Sequence, residues 1–249
     1  MIKIWGNTDI GVVRKQNEDG FYFCSNTKGD RGYAVVCDGM GGANAGEVAS
    51  EMAVKLFSQQ AERLLAENMS VDEMNALIAN ATKEANAFIH QHAASDEALA
   101  GMGTTFVCLA YNGADVVIGN IGDSRAYLLN AEQMSQITVD HSLVQEMVSR
   151  GELNPIQAQR HPSRNVITRA LGVDADVSCD LFQVTPQSGQ YILLCSDGLT
   201  GEVSEPEIYY EIYQTEEAET ACDRLIEMAK QRGGHDNITL VIAAFEGDA

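Results

Sequence analysis

Three apolar stretches of this chain each end at an aspartate beside a glycine, and this repetition constrains the fold more than any other feature. The aspartates are Asp38, Asp123 and Asp197, and the runs before them have the length and composition of buried β-strands. A single Asp-Gly pair after a strand is usually only a turn. Three of them indicate strand ends that converge on one edge, where carboxylates repel each other unless they bind cations.

The order of the predicted elements favours an α+β fold over a regular alternation of strands and helices. Strand-like runs come first, helical patterns follow, and strands then resume. The helical pattern at 70–89 begins with the capping box Ser70-x-x-Glu73. Such grouping predicts largely antiparallel sheets covered by helices. The chain has no linker rich in proline, glycine and serine, so residues 1–249 are predicted to form one domain.

The chain is strongly acidic, because 36 Asp and Glu against 16 Lys and Arg give a net charge of −20. This excess of negative charge argues against nucleic acid and anionic membranes as partners, and it suits a protein that binds cations. No charged leader and no apolar run of membrane-spanning length are evident, so we expect a cytoplasmic protein. The six cysteines form no Cys-x-x-Cys pair, which favours reduced core thiols over a zinc site.

Two further acidic groups extend the pattern and predict a metal site. Asp236 precedes the last strand-like run, and Glu18-Asp19 precedes the second. Clustered carboxylates are ligands that Mg²⁺ and Mn²⁺ prefer, and the EF-hand, Walker A and His-Glu-x-x-His patterns are absent. A lone arginine such as Arg14 is normally a solvated charge, but beside a metal cluster it becomes a candidate for bidentate phosphate binding. The combination points to two-metal hydrolysis of a phosphoester.

In the order and spacing of its motifs, the sequence resembles the metal-dependent protein phosphatases, the PPM or type 2C serine/threonine phosphatases, in their short bacterial form. The resemblance covers nearly the whole chain, and any one motif alone would be weak evidence. The matching motifs are Arg14-x-x-Asn17-Glu18-Asp19, Asp38-Gly39-Met40-Gly41-Gly42, Gly103-Thr104-Thr105, Gly122-Asp123-Ser124-Arg125, Ser196-Asp197-Gly198 and Asp236-Asn237.

The resemblance implies a four-layer αββα sandwich, in which two central antiparallel β-sheets are flanked by helices. It also implies two core Mn²⁺ or Mg²⁺ ions and a third ion that binds more weakly. Asp38 would bridge the two core ions, and Asp197 and Asp236 would complete the ligands of the first. The second core ion would be bound by the Gly39 carbonyl and by Glu18 or Asp19, directly or through water, and the third ion by Asp123 with Asp197. A hydroxide activated by the core ions would attack phosphorus.

Two further roles are implied by the resemblance. Arg14 would bind the substrate phosphate, and residues 140–172 would form a flap beside the active site. The flap carries four arginines against three acids, and it is the one part of the chain without an acidic excess. That charge either assists an anionic substrate or arises by chance.

The sequence departs from the family where a histidine is expected. Met40 and Ala43 occupy the two positions at which family members carry the histidine that protonates the leaving oxygen. His141, at the start of the flap, is a candidate general acid in its place. A metal-bound water is the alternative donor.

Three functions are open on the sequence alone. The first is a phosphatase that acts on phosphorylated proteins and opposes a serine/threonine kinase. The second is a non-catalytic binding module on the same fold, and the third is a metal-dependent phosphatase for a small phosphorylated metabolite. Non-catalytic relatives typically lose metal carboxylates, whereas this chain retains all of them, which favours the enzyme.

Overall fold

The computed structural model describes residues 1–41, 45–213 and 218–246. Ala43 lies outside these residues. The strands are β1 (Ile2–Asp9), β2 (Asp19–Ser25), β3 (Arg31–Met40), β4 (Gly103–Thr104), β5 (Phe106–Asn112), β6 (Asp115–Ile121), β7 (Arg125–Leu129), β8 (Met134–Gln136), β9 (Asp180–Val184), β10 (Gln190–Cys195) and β11 (Ile238–Phe245). The helices are α1 (Ala45–Ala61), α2 (Arg63–Ala66), α3 (Val71–Ser95), α4 (Leu143–Ser149), α5 (Pro155–Gln159), α6 (Asp197–Thr200), α7 (Glu205–Tyr213) and α8 (Ala218–Gln231).

The strands form two antiparallel sheets. One sheet has the order β1-β11-β10-β7-β8, and the other has the order β2-β3-β5-β6-β9, with the short β4 paired to the end of β3. The first and last strands of the chain are neighbours, and Asp9 at the end of β1 lies opposite Ile238 at the start of β11. This pairing brings the loop after β1 close to the segment before β11.

Three apolar cores separate four layers, and β3 shows how one strand serves two of them. Tyr33, Val35 and Cys37 pack into the core under α1 and α3, whereas Ala34 and Val36 face the other sheet. This alternation follows from the two-residue period of a strand. A third core lies between the β10 and β11 sheet and helices α7 and α8. The predicted αββα sandwich is therefore confirmed.

Local sequence signals account for the start of the longest helix. The Ser70 hydroxyl accepts the Glu73 N–H at 3.3 Å, and the Glu73 carboxylate accepts the Ser70 N–H at 2.8 Å. This reciprocal capping satisfies two backbone donors that the first turn of α3 would otherwise leave unpaired. Within the described ranges, none of the helices has both the length and the apolar character needed to cross a bilayer.

The structure adds elements that the sequence does not predict. β8 has three residues and no alternating apolar pattern, so no signal marks it. The irregular-looking segment 140–172 contains α4 and α5, whose N-termini are capped by the side chains of Ser142 and Asn154. Both helices are too short to show a full apolar stripe.

Candidate active site

The acids predicted to bind metal converge where strands end. Asp38 lies near the end of β3, whereas Asp123 and Asp197 each lie two residues after an apolar strand, β6 and β10 respectively. A cleft of about 270 Å³, the metal cleft, is lined by Arg14 and six of the predicted ligands: Glu18, Asp38, Gly39, Asp123, Asp197 and Asp236. Asp19, the seventh, lies opposite Asp38 in the β2–β3 ladder. The strand ends therefore meet as the sequence predicts.

The cluster is electrostatically strained when no cation is present. Burial raises the pKa of the Asp38 carboxyl well above its ordinary value, and the charges of Asp19, Asp197, Asp123 and Asp236 raise it further. Burial is also the main cause that raises the pKa of Asp19 and Asp123 to about 7 and that of Asp197 to about 6. A divalent cation would remove this penalty by pairing with the ionised forms.

The donor chemistry of the cluster fits a hard cation. The Asp19 Oδ1 atom is buried and has no hydrogen-bond partner among the described residues, although buried carboxylate oxygens are normally satisfied. Its other oxygen, Oδ2, accepts the Ser196 hydroxyl at 2.9 Å. Carboxylate oxygens and a backbone carbonyl are the ligands that Mg²⁺ and Mn²⁺ prefer. A bound cation would supply the partner that this buried oxygen lacks.

In this conformation the predicted ligands do not yet form a complete metal site. Across 1–41, 45–213 and 218–246, no three His, Cys, Asp or Glu side chains are grouped so that they could hold one ion. Asp236 is turned toward Arg14, whose Nη2 lies 2.6 Å from its Oδ2 atom. Ion binding would therefore require carboxylates to turn inward and Arg14 to release Asp236.

Arg14 lies on the loop between β1 and β2, and Asn237 fixes that loop. The Asn237 side chain accepts the Glu18 N–H at 2.8 Å and donates to the Ile10 and Gln16 carbonyls, each at 2.9 Å. Asn237 adjoins Asp236, so the same turn that carries the acid also orients the arginine. The Arg14 side chain remains 47% exposed, which leaves it accessible to a phosphate.

Gly39 is required by the close approach of backbone segments. A Cβ atom at this position would lie 2.1 Å from the Gly46 carbonyl oxygen and 2.5 Å from that of Glu18. No side chain fits between backbone atoms at such distances, so only glycine allows the end of β3 to pass here. The packing explains why glycine follows Asp38.

Thr105 supports the cluster in a way that the sequence does not reveal. Its hydroxyl accepts the Asp38 N–H at 2.9 Å and lies 2.6 Å from the Ser124 hydroxyl. One side chain thus connects the backbone of Asp38 with the residue after Asp123. The Gly103-Thr104-Thr105 motif marks the position, but its role depends on contacts between residues far apart in the chain.

His141, the candidate general acid, has both ring nitrogens engaged. Its Nδ1 atom accepts the Gly122 N–H at 3.0 Å, and its Nε2 atom lies 3.0 Å from Asp180 Oδ2. The side chain is 8% exposed, and among the described residues it is not one of those lining the metal cleft. Proton donation to a substrate would require one of these bonds to break. The geometry favours the alternative donor, a water molecule.

The segment proposed as the flap borders a second, larger cleft. This cleft measures about 790 Å³ and shares Asp123, Asn165, Asp197 and Asp236 with the metal cleft. Arg125 anchors the start of the segment, because its Nη2 and Nε atoms donate to both Asp140 carboxylate oxygens at 2.7–3.1 Å. The sequence does not identify this ion pair, since its partners are fifteen residues apart.

Comparisons with known proteins identify relatives that match nearly the whole chain. A family model described as Protein phosphatase 2C matches residues 13–237. Serine/threonine phosphatase stp of Listeria innocua is 41% identical over 94% of this chain and 92% of that protein. Serine/threonine phosphatase Stp1 from Staphylococcus aureus has a TM-score of 0.91 at 38% identity, covering 99% of this chain and 96% of that one. The catalytic domain of serine threonine protein phosphatase PstP, in complex with two manganese ions, has a TM-score of 0.86 at 32% identity and 99% coverage of both.

An αββα sandwich with an acidic cleft of this kind defines the class of metal-dependent phosphoprotein phosphatases. The chain belongs to the protein phosphatase 2C family. The similarity extends over nearly the full length of both this chain and its relatives, so it covers the cleft as well as the fold.

Proposed function

We propose that this chain hydrolyses phosphoserine and phosphothreonine in proteins and opposes a serine/threonine kinase. We further propose that residues 1–249 act as one catalytic domain with residues 140–172 as its flap. The observation that carries the proposal is that Arg14 shares one cleft with five acidic side chains. An arginine beside a cation site is what a phosphate dianion requires for binding.

The proposed ligands divide among the ions as the family resemblance suggests. Asp38 would bridge the two core ions, and Asp197 and Asp236 would complete the first. The Gly39 carbonyl would serve the second, together with Glu18 or Asp19. Asp123 would share a third, weaker ion with Asp197. Bound Mn²⁺ or Mg²⁺ would lower the pKa of water, so that hydroxide is available near neutral pH.

Arg14 supplies the remaining positive charge. Once Asp236 is engaged elsewhere, the Arg14 guanidinium is free to donate two parallel N–H bonds to phosphoryl oxygens. These bonds orient the phosphorus and pair with the phosphoryl charge in the bound substrate and in the transition state alike. Because both His141 nitrogens are engaged, we propose that water protonates the departing serine or threonine oxygen.

The proposal is tested by comparing substrate classes. With Mn²⁺, we expect turnover of phosphoserine and phosphothreonine peptides and much slower turnover of small phosphorylated metabolites, because the 790 Å³ cleft beside the site offers room for a peptide. Release of inorganic phosphate measures both. A preference for metabolites would favour the metabolite phosphatase, and no turnover of either would favour the non-catalytic module.

Replacing Arg14 by alanine is expected to raise KM more than it lowers kcat. A contact made to substrate and transition state alike affects both states equally. Charged hydrogen bonds contribute about 1.5–3 kcal/mol, so kcat/KM should fall about tenfold to a hundredfold. Steady-state kinetics at saturating Mn²⁺ measure the effect.

Lys15→Ala is the matched control, because Lys15 is an exposed cation on the same loop. This variant should retain wild-type kinetics. An Arg14→Ala variant with unchanged kcat/KM would show that Arg14 is only a surface charge.

A further inference from the structure

His141 holds the turn that carries Asp123. The His141 backbone N–H donates to the Gly122 carbonyl at 2.9 Å, and its ring Nδ1 accepts the Gly122 N–H at 3.0 Å. One residue thus satisfies both backbone groups of Gly122. The contact joins the first residues of the flap segment to the turn between β6 and β7.

The ring is oriented from its other side by Asp180. Because Nδ1 accepts an N–H, the ring proton lies on Nε2 and is donated to Asp180 Oδ2. Arg169 Nη1 donates to the other Asp180 oxygen at 2.6 Å. Although burial acts to raise it, the hydrogen bonds from His141 and Arg169 lower the pKa of Asp180. A charged Asp180 keeps the ring in the tautomer that accepts from Gly122.

The turn has an uncommon backbone conformation. Gly122 has a φ of +108°, a region that other residues rarely adopt, and the Thr105 side chain occupies the space where a Cβ would lie. The Asp123 carboxylate is repelled by Asp197 and Asp140. Ser124, on its other side, contacts Thr105 at 2.6 Å. The contacts of its two neighbours, Gly122 with His141 and Ser124 with Thr105, therefore restrain Asp123 against this repulsion.

We propose that His141 is a positioning residue, which fixes the Gly122–Asp123 turn so that the Asp123 carboxylate stays directed into the cleft. Its consequence for metal binding rests on the proposed function, in which Asp123 contributes to the weaker ion. The hydrogen-bond role itself does not depend on that function. Positioning also differs from general acid catalysis, because it acts on every substrate alike.

The hydrogen bond is tested first, on metal-free protein. Hydrogen exchange of the Gly122 amide should be faster in His141→Ala by tenfold or more than in wild type. His141→Asn should retain protection, because its Oδ1 atom can accept the Gly122 N–H where Nδ1 does. His161→Ala is the matched control, since His161 Nδ1 also accepts a backbone N–H, from Ser163, within the same segment. Unchanged Gly122 exchange in His141→Ala would overturn the proposal.

Metal binding is tested next, by titrating Mn²⁺ and following the electron paramagnetic resonance signal of the free ion. His141→Ala should weaken the weakest site about tenfold, as expected for loss of a group that orients a ligand. His141→Asn should recover most of that affinity. In an Asp123→Ala background, His141→Ala should have no further effect. If Asp123→Ala weakens the site but His141→Ala does not, or if His141→Ala has an equal effect in the Asp123→Ala background, the proposal is contradicted.

Kinetics separate positioning from proton donation. A nitrophenolate leaves without a proton, whereas a serine oxygen needs one. Positioning predicts that His141→Ala lowers kcat/KM by the same factor for p-nitrophenyl phosphate and for a phosphoserine peptide, and that added Mn²⁺ restores both. A loss confined to the phosphopeptide would overturn positioning and identify His141 as the general acid. If neither substrate is turned over by wild type, the proposed function fails, while exchange and Mn²⁺ binding still decide the role of His141.

Discussion

Asp38→Ala is expected to abolish nearly all phosphatase activity while leaving the protein folded. Loss of a residue that merely orients a ligand costs about 10–100-fold, so loss of the ligand proposed to bridge two ions should cost on the order of 10³-fold or more. The backbone contacts of residue 38 with Thr105 do not involve the deleted carboxylate. Release of phosphate from a phosphoserine peptide at saturating Mn²⁺ measures the loss.

The stability of the same variant provides an independent test. Without metal, deletion of the Asp38 carboxylate relieves the repulsion from Asp19, Asp197, Asp123 and Asp236. The melting temperature should therefore rise by about 2–4 °C, which corresponds to ~1 kcal/mol in a chain of this size. Asp115→Ala, at an exposed position on the β5–β6 hairpin, should change neither activity nor stability. Near-wild-type turnover by Asp38→Ala would contradict the assignment.

The sequence predicts the parts of the fold that depend on local pattern. Buried strands such as β6 and β11 consist mainly of apolar residues, and α3 begins with a capping box, so each is recognisable within a short stretch of sequence. Asp38 lies near the end of such a strand, and Asp123 and Asp197 lie just after two others. Once strands pair into sheets, their ends converge, which is why the sequence predicts that Asp38, Asp123 and Asp197 lie together.

Contacts between distant residues could not be predicted in the same way. Arg14 and Asp236 are 222 positions apart, and Asp38 and Thr105 are 67 apart. Their meeting depends on the pairing of β1 with β11 and on the short β4, which the sequence does not specify. His141 illustrates the same limit. Its place in the flap segment made it a candidate acid, but only the bonds to Gly122 and Asp180 reveal that its ring is already occupied.

Removal of divalent ions is expected to abolish activity and to make the folded state less stable as the pH rises. In metal-free protein the pKa is raised to about 7 for Asp19 and Asp123 and to about 6 for Asp197, from an ordinary value of 3.8. The folded state therefore binds more protons than the unfolded chain from about pH 4 to about pH 8, where the carboxyls with a pKa of about 7 have lost most of their protons. In that interval the free energy of unfolding decreases with increasing pH.

Bound Mn²⁺ should reverse this trend. The ion binds the ionised carboxylates, so its affinity, and the stability that it confers, increase as the carboxylates lose protons. We expect the metal-free protein to melt at a higher temperature at pH 6 than at pH 8, and the Mn²⁺-bound protein to show the opposite order. Thermal melts at both pH values, with chelator and with saturating Mn²⁺, measure this. Asp38→Ala should show a weaker pH dependence without metal, because it removes a buried carboxyl whose own pKa is raised in the folded state. Full activity in excess chelator, or metal-free stability that rises from pH 6 to pH 8, would contradict a role for the acidic cluster as the metal site.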